Sequence, residues 1–297
     1  SEARLIRPRE AVFIANQQQG QRLSEQLKHT PHLQEVNNRE LLDRIPVIKS
    51  DKALRGALDT TGGDLDVDAL LQGFLRQLKD NHGTVITGAK VTNIKKNNQV
   101  WHLHTSSGDF ESAILVNAAG AWADNIAEMA GLQALGITPY RRTVVLVDAP
   151  SDVDITDWPM VIDVGESFYF KPEAGQLLIS PADETASEAC DAFPDELDIA
   201  IAIDRVQQVI DLEVTRINHS WAGLRSFAHD KTFVTGYDPR TEGFFWLAGQ
   251  GGYGVQSAPG LADIACYLIT GSHMLLAEPD IQSYLMAISP ERLMPLV

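Results

Sequence analysis

The stretch that decides the fold of this chain is Phe244-Phe-Trp-Leu-Ala-Gly-Gln-Gly-Gly-Tyr-Gly-Val-Gln256. Its apolar start predicts a buried strand that ends at Ala248, and residues 255–269 predict a helix. The glycines between them let a flat ligand approach the backbone, and the helix N-terminus presents unpaired N–H groups with partial positive charge. Such a turn can hold a developing anion, or it can simply permit a tight corner between strand and helix.

The same turn, Gly249-Gln-Gly-Gly-Tyr-Gly254, matches the pattern G-x-G-x-x-G of dinucleotide-binding proteins. In those proteins the pattern opens a βαβ unit, and an acidic residue follows about 20 positions later. Here the predicted helix is followed by Gly271-Ser-His273, and no second strand is predicted after it. We therefore do not expect this turn to bind a pyrophosphate in the usual way.

A second predicted strand, at residues 114–116, runs directly into the small-residue corner Asn117-Ala-Ala-Gly120 and then into a helix. Between this corner and the glycine turn, alternating polar and apolar residues predict antiparallel strands. These strands are expected at residues 144–147, 160–164, 167–171 and 176–179. Other expected elements are strands at 84–86, 89–95 and 99–105 and helices at 66–80 and 197–210. The expected fold class is therefore mixed α/β and α+β, with interleaved elements.

The composition is that of an ordinary globular protein and argues against several classes of function. Over 297 residues, 24 basic and 40 acidic side chains give a formal net charge of −16, which disfavours a grip on nucleic-acid phosphates. No Cys-x-x-Cys or histidine cluster surrounds Cys190 or Cys266, so we expect no disulfide, no metal site and a reducing, cytoplasmic location. The longest apolar stretch, residues 113–123, is too short for a transmembrane segment.

Three motifs carry a family resemblance: Val116-Asn-Ala-Ala-Gly-Ala-Trp122, Trp221-Ala-Gly-Leu-Arg-Ser-Phe227 and the stretch 244–256. In this order they resemble the D-amino-acid-oxidase-like FAD-dependent oxidoreductases, which are related to glycine and sarcosine oxidases. Within them the chain looks most like the group of D-arginine dehydrogenase and its relatives. Further matching stretches are Asp66-Val-Asp-Ala-Leu-Leu-Gln-Gly73, Arg141-Arg142, Trp158-Pro-Met160 and Glu166-Ser-Phe-Tyr-Phe-Lys-Pro172.

The resemblance implies a Rossmann-like FAD-binding domain interleaved with a substrate-binding domain built on an antiparallel sheet. We expect the FAD-binding domain at residues 57–135 and 225–297, and the substrate-binding domain at 1–56 and 136–224. Family members begin with a βαβ unit whose G-x-G-x-x-G turn binds the ADP half of FAD. Nothing before Leu5 supplies that unit, so we expect the FAD-binding domain of this chain to be incomplete.

The resemblance also implies roles for individual residues. Arg225 and Arg142 would be catalytic residues that hold the substrate carboxylate, and Tyr169 would add a hydroxyl group at the same end. Gly252 would give a backbone contact to the substrate, and Glu2 would face the distal cation of an arginine-like substrate. The residues expected along the FAD are Val91, Ala118, Ala119, Gly120, Gln250, Gly251, Gly252, Tyr253, Gly254, Val255 and Gln256.

The implied activity is oxidative deamination of a D-amino acid, arginine-like in the nearest group, to a 2-oxo acid and ammonia. Hydride would pass to flavin N5, as in amino-acid catabolism, and the partners would be the amino acid and an electron acceptor that the sequence does not identify. One alternative is an oxidase of glycine, sarcosine or another secondary amine. Another is a chain that binds a carboxylate ligand but no flavin and is inactive alone.

The residues by themselves leave some of these roles open. Arg225 stands in a mostly apolar stretch and needs a partner, which can be a ligand carboxylate or an acid of the protein. Arg142 competes with Arg141, since adjacent residues of a strand face opposite ways. His219 and His229 flank the Arg225 motif, but the family chemistry requires no histidine base there.

Overall fold

The computed structural model describes residues 5–274 and 281–294, and the chain divides into two compact units. The first unit contains the described part of Ser1–Phe74 together with Arg141–Thr185 and Asp191–Gly223. The second unit contains Leu75–Tyr140, Ala186–Cys190 and the described part of Leu224–Val297. Each unit is assembled from separate segments, so no single boundary divides the sequence into domains.

Strands and helices alternate irregularly along the chain. The strands are β1 (Ile6–Pro8), β2 (Ala11–Ala15), β3 (Gln34–Asn37), β4 (Arg55–Asp59), β5 (Gly63–Leu65), β6 (Val91–Asn97), β7 (Val100–Thr105), β8 (Gly108–Ser112), β9 (Leu115–Asn117), β10 (Thr138–Asp148), β11 (Met160–Asp163), β12 (Tyr169–Glu173), β13 (Gln176–Ser180), β14 (Thr185–Ala186), β15 (Ile217–Phe227), β16 (Val234–Tyr237) and β17 (Phe244–Ala248). The α-helices are α1 (Gly20–His29), α2 (Asn38–Arg44), α3 (Val67–Asp80), α4 (Ala123–Met129), α5 (Glu196–Val209), α6 (Gly254–Thr270) and α7 (Ile281–Ile288). Within the described ranges, no helix combines the length and the apolar character needed to cross a membrane.

A large sheet organises the first unit. Its strand order is β14-β10-β13-β12-β11-β2-β4-β3, and β15 also pairs with β10. From β10 to β3 every pair is antiparallel except β2 with β11, where Ile14 lies opposite Asp163 in parallel register. The four antiparallel strands that the alternating pattern predicted between residues 144 and 179 are confirmed as parts of β10–β13.

Helix α5 covers the sheet of the first unit on β13. The side chain of Asp195 caps its start by accepting a hydrogen bond from the Leu197 N–H at 2.9 Å. Ala202, Val206 and Val209 are buried and follow one another at spacings of four and three, which places them on one face of the helix. That face packs into the apolar core of the unit, so the predicted helix at 197–210 is confirmed.

Two three-stranded sheets belong to the second unit. In the first, β17 lies between β16 and β9, and β17 runs parallel to β9 with Phe244 opposite Leu115. Phe244, Phe245 and Trp246 are completely buried, as expected for a central strand. The second sheet has the order β6-β7-β8.

The prediction of a strand at residues 84–86 is wrong, because the structure has no strand there. Strand β8, in contrast, was not predicted from the sequence. Strand propensity depends on neighbours, and residues 84–86 have no strand to pair with. All five residues of β8 are exposed, and Phe110 is the one large apolar side chain among them, so the sequence pattern is too weak to predict a strand. Pairing with β7, and not the sequence pattern, makes this segment a strand.

The strand that leads into the glycine turn is anchored by Asp238, whose side chain is completely buried. Asp238 accepts hydrogen bonds from Trp246 Nε1 at 2.9 Å and from Arg240 Nη2 at 2.6 Å. Burial raises the pKa of Asp238, but the hydrogen bonds from Arg240 and Trp246 outweigh burial and hold the pKa below its ordinary value of 3.8. The charged carboxylate thereby ties Trp246, in the middle of β17, to the segment that follows β16.

The fold is mixed α/β with several sheets, which confirms the predicted fold class. The roles of the predicted domains stay predictions: FAD binding for residues 57–135 and 225–297, and substrate binding for 1–56 and 136–224. The expected lack of an N-terminal βαβ unit also stays a prediction.

Candidate active site

The glycine turn after β17 is held by backbone hydrogen bonds. The Gly251 N–H donates to the Ser226 carbonyl at 2.9 Å, and the Tyr253 N–H donates to the Gln250 carbonyl at 3.0 Å. Gly249 and Gly251 have φ angles of +73° and +53°, in the left-handed region that glycine adopts without strain. Two of the glycines are therefore required by the backbone geometry of the turn itself.

Two side chains of β15 lie directly against the turn. A Cβ atom on Gly251 would fall 2.1 Å from the ring of Phe227, and one on Gly252 would fall 3.1 Å from Nη1 of Arg225. Internal packing thus explains the glycine at position 251. Of the two interpretations of the turn, a ligand site or a tight corner, the corner is enough to account for this glycine. Gly252 differs from Gly251 in its neighbour, because the group beside it is the charged guanidinium of Arg225 and not an apolar ring.

Helix α6 presents its N-terminus at the end of the turn. The Ser257 N–H makes the first helical hydrogen bond, to the Tyr253 carbonyl at 3.0 Å. The N–H groups of Gly254, Val255 and Gln256 precede that bond and have no helical acceptor. The first turn of this helix carries no acidic side chain, so its positive end is available to an anionic group.

The partly buried guanidinium of Arg225 has no hydrogen-bond or ion-pair partner among residues 5–274 and 281–294. In the same unit, Arg240 is paired with Asp238 and Arg292 with Asp230. A partly buried cation loses part of its hydration, and a ligand carboxylate beside it would compensate that loss. The internal salt bridge that the sequence left open for Arg225 is not formed in the described part of the chain.

The two adjacent arginines of β10, in the first unit, have different surroundings. Arg141 donates to Asp198 at 2.6 Å and lies 3.9 Å from Asp183, so acids of the fold enclose it. Arg142 forms an ion pair of 3.3 Å with the exposed Glu184. The Arg142 side chain is 11% exposed and that of Glu184 is 41% exposed, so the acid of this pair is the member that faces solvent. Of the two arginines, Arg142 is the better candidate for binding an anion.

The predicted substrate-binding residues are divided between the two units. Tyr169, which opens β12 and is partly buried, belongs to the first unit with Arg142. Arg225 and Gly252 belong to the second unit, where they are neighbours. Joint binding of one carboxylate by all of them stays a prediction. Glu2 lies outside the described residues.

The corner Asn117–Gly120 and the glycine turn follow neighbouring parallel strands. Trp246 of β17 lies opposite Asn117 of β9, so the two turns meet at the carboxyl edge of the same sheet. Ligands of open α/β sheets bind at this edge. The Asn117 side chain donates to the Ala123 carbonyl at 2.8 Å, which joins the end of β9 to α4. The two segments predicted to lie along a cofactor, Ala118–Gly120 and Gln250–Gln256, thus follow neighbouring strands at the same edge of the sheet.

Sequence reasoning missed two residues that build this site. Phe227 packs against Gly251, and Ser226 supplies the carbonyl that accepts from it. Both residues lie in the motif 221–227, which indicated the region but not the contacts. The Oγ of Ser226 is buried without a hydrogen-bond partner in the described residues. Val91, expected near the adenine through its backbone, begins β6 and packs its side chain against the apolar core of the unit.

Comparison with protein families gives a match over most of the chain. Residues 4–268 match the model of the DAO family, described as FAD dependent oxidoreductase. The chain is 25% identical over 249 residues to FAD-dependent oxidoreductase domain-containing protein 1 of Bos taurus, covering 71% of this chain and 50% of that protein. It is 24% identical over 229 residues to glycine oxidase of Geobacillus kaustophilus, covering 74% and 57%. The chain therefore spans about half the length of these curated relatives.

Solved structures show the same architecture. Glycine oxidase from Geobacillus kaustophilus superposes with a TM-score of 0.80 at 19% identity, covering 99% of this chain and 76% of that one. L-proline dehydrogenase from P.horikoshii also superposes with a TM-score of 0.80 at 19% identity, covering 97% and 77%. Likeness at this identity shows a shared fold and does not by itself show a shared substrate.

Proposed function

The chain belongs to the DAO family of FAD-dependent oxidoreductases, and we propose that it serves the oxidation of the carbon–nitrogen bond of an α-amino carboxylate. The observation that carries this proposal is the guanidinium of Arg225. It lies beside Gly252 in the glycine turn and has no acceptor among the described residues. A carboxylate accepts two parallel hydrogen bonds from such a planar fork, which would fix the orientation of the substrate as well as its position.

The named substrates of similar proteins support this chemical class. Glycine and L-proline, which appear in the names of the two superposed enzymes, both carry an amine on the carbon next to a carboxylate. The finer proposal is a D-amino acid with a basic, arginine-like side chain. That preference rests on the resemblance of the motifs 116–122, 221–227 and 244–256 and on the expected position of Glu2. It therefore has fewer observations behind it than the general class of α-amino carboxylates.

The residues present fit the flavin half of FAD. The N–H groups at the start of α6 suit the polar edge of a ring that gains negative charge, and no acidic side chain in that turn opposes it. Gln250–Gln256 would border the ring, and Ala118–Gly120 at the neighbouring strand end would lie along the cofactor. FAD, when bound, supplies the acceptor for the hydride that leaves the substrate carbon.

The contribution of the protein itself would be orientation. Arg225, together with Arg142 and the hydroxyl of Tyr169, would clamp the substrate carboxylate and direct the Cα–H bond. The neutral amine would supply its own lone pair to the developing imine, so no side-chain base is required at the reacting carbon. Water would then hydrolyse the imino acid to a 2-oxo acid and ammonia.

A glycine- or sarcosine-type amine oxidase is the second candidate, and the similarity to glycine oxidase favours it. The test is to supply the chain, and the longer protein if it is encoded as one, with FAD and a panel of D-arginine, D-alanine, glycine, sarcosine and L-proline. Dye reduction and oxygen consumption would be measured in parallel. Turnover of D-amino acids supports the first candidate, and preference for sarcosine or glycine supports the second. Peroxide release identifies an oxidase, whereas dye-dependent turnover alone identifies a dehydrogenase.

A third outcome would overturn both enzymatic candidates for the chain alone. If no amine is oxidised but benzoate binds saturably and Arg225→Met abolishes that binding, the chain binds a carboxylate without catalysing its oxidation. If neither turnover nor binding depends on Arg225, the proposed substrate site is wrong.

A further inference from the structure

We propose that the first unit contains a binding site for a small oxyanion, a carboxylate or a phosphate, in a cavity that shares no residue with the candidate active site. The cavity has a volume of about 220 Å³. This is about seven times the volume of a water molecule in the liquid, roughly 30 Å³, and suits a small dicarboxylate. The polar side chains in its wall are those of Asn16, Gln19, Lys52, Asp163, Ser167, Arg205 and Gln208.

The carboxylate of Asp163 already accepts hydrogen bonds from other residues that line the cavity. Asp163 is 4% exposed. Its Oδ1 accepts from the Gln19 side-chain amide at 2.7 Å, and its Oδ2 accepts from the Ser167 hydroxyl at 2.6 Å and from the Ser167 N–H at 3.1 Å. Both carboxylate oxygens are thereby turned to neighbours in the fold, so Asp163 builds the cavity and does not recruit a cation to it.

Arg205 supplies open hydrogen-bond donors. Its Nη1 donates to the carbonyls of Ser167 and Pro181, which holds the partly buried guanidinium in one orientation. Arginine has five N–H donors, and in the described part of the chain nothing accepts from Nε or Nη2 of Arg205. A guanidinium that is held in place by one nitrogen and open at the others is prepared to bind a planar anion.

Two further donors line the same cavity. The Nζ of Lys52 lies 3.3 Å from the exposed carboxylate of Asp51, its neighbour in sequence, and an exposed pair of this kind is easily exchanged for a ligand. The Oδ1 of Asn16 accepts from the N–H groups of Gln18 and Gln19, so the amide NH₂ is the end that remains. The wall therefore offers donors and positive charge, while the carboxylate oxygens of Asp163 and the Oδ1 of Asn16 already accept hydrogen bonds within the fold.

The charge balance makes the cavity unusual for this protein. Lys52 and Arg205 outnumber Asp163 in the wall, although the whole chain carries a formal charge of −16. Open donors around a net positive cavity favour a ligand that is negative and rich in acceptors. Carboxylates and phosphate share this chemistry, and the planar fork of Arg205 matches the geometry of both.

The experiment is isothermal titration calorimetry of the purified chain with malonate, citrate and inorganic phosphate in separate titrations at constant low ionic strength. We expect one site per chain that Arg225→Met leaves intact, with an affinity for at least one of the three anions that weakens as salt is added. Lys52→Met removes one cation. Asn16→Asp keeps the cap of the following turn, because Asp and Asn cap equally well, and replaces the NH₂ donor with a negative charge. Each variant should weaken binding roughly tenfold or more.

Lys28→Met is the matched control, since Lys28 is exposed on α1 and does not line the cavity. It removes the same charge from the chain and should leave the affinity unchanged. Equal weakening by Lys28→Met would overturn the proposal, as would the absence of binding by all three probes. Loss of binding in Arg225→Met but not in Asn16→Asp would move the anion to the candidate active site and would also overturn it. The order of the three affinities shows whether the site takes a carboxylate or a phosphate.

Discussion

The ring of Phe227 lies so close to Gly251 that a Cβ atom on the glycine would fall 2.1 Å from the ring carbon Cε1. The same ring packs edge-on against Tyr140, with ring centroids 5.9 Å apart and planes at 69°. The Gly251 N–H bond to the Ser226 carbonyl fixes the contact from the backbone side. The glycine turn therefore has little freedom to move, and its shape depends on β15 as much as on its own sequence.

Gly251→Ala should destabilise the chain by at least about 2 kcal/mol, because it adds a clash in a packed site and a left-handed conformation for alanine. The measurement is urea unfolding followed by circular dichroism. Gly223→Ala is the control, since a Cβ atom there meets no atom within 4 Å. Adding Phe227→Leu to Gly251→Ala should recover part of the loss. A Gly251→Ala variant as stable as the control would contradict the close packing.

Arg225→Met should reduce kcat/KM of the FAD-loaded enzyme by an amount equivalent to about 2–5 kcal/mol of transition-state stabilisation, because a carboxylate would lose its charged partner. Arg225→Lys should recover only part of the activity, since the planar fork is absent. Arg216→Met is the matched control, because the Arg216 side chain is 71% exposed. Near-normal kcat/KM in Arg225→Met would remove this residue from the substrate site.

The 297-residue chain, purified alone, should bind FAD weakly or not at all. Its sequence contains one G-x-G-x-x-G match, and within residues 271–274 and 281–294 no strand follows the helix that this turn opens. Each hydrogen bond to a phosphate contributes about 1.5–3 kcal/mol, so a chain that forms few of these bonds binds FAD with an affinity lower by powers of ten. Absorbance in the near-UV and blue, before and after gel filtration with FAD, measures the bound flavin. A stoichiometric band that survives the column would show this expectation to be wrong.

Asp238→Asn should lower stability at neutral pH by about 1–3 kcal/mol, because Arg240 and Trp246 lose a charged acceptor. The pKa of Asp238 is lower in the folded chain than its ordinary value of 3.8. Its contribution is therefore present above pH 3.8 and is lost as the pH falls through the lower folded pKa. The stabilities of the two proteins should draw together as the pH is lowered from neutral to below 3.8. A difference that stays constant over that range would contradict this role.

Much of the fold could be predicted from local patterns. The helix at 66–80, the antiparallel strands between 144 and 179, and the strand–turn–helix at 244–270 follow from hydrophobic periodicity and glycine placement, which depend on residues close in sequence. The polar strand β8 could not be predicted, because its pairing with β7 and not its own composition makes it a strand.

The candidate site was predictable as a set of motifs but not as a set of contacts. The motifs 116–122 and 244–256 predicted that two small-residue turns bind one ligand, and the parallel pairing of β9 with β17 brings these turns to the same sheet edge. The role of Phe227 beside Gly251 was not predictable, since aromatic residues in strands pack against many kinds of neighbour.

The sequence by itself determined the family resemblance, the order of most elements and the positions of the glycines, because these depend on short-range patterns and conformational preferences. Only the tertiary structure decided that Arg141 is enclosed by acids while Arg225 has no partner in the described residues. The physical reason is that the environment of a charge is set by groups distant in sequence. Asp198 reaches Arg141 across 57 positions, and no local pattern encodes that distance.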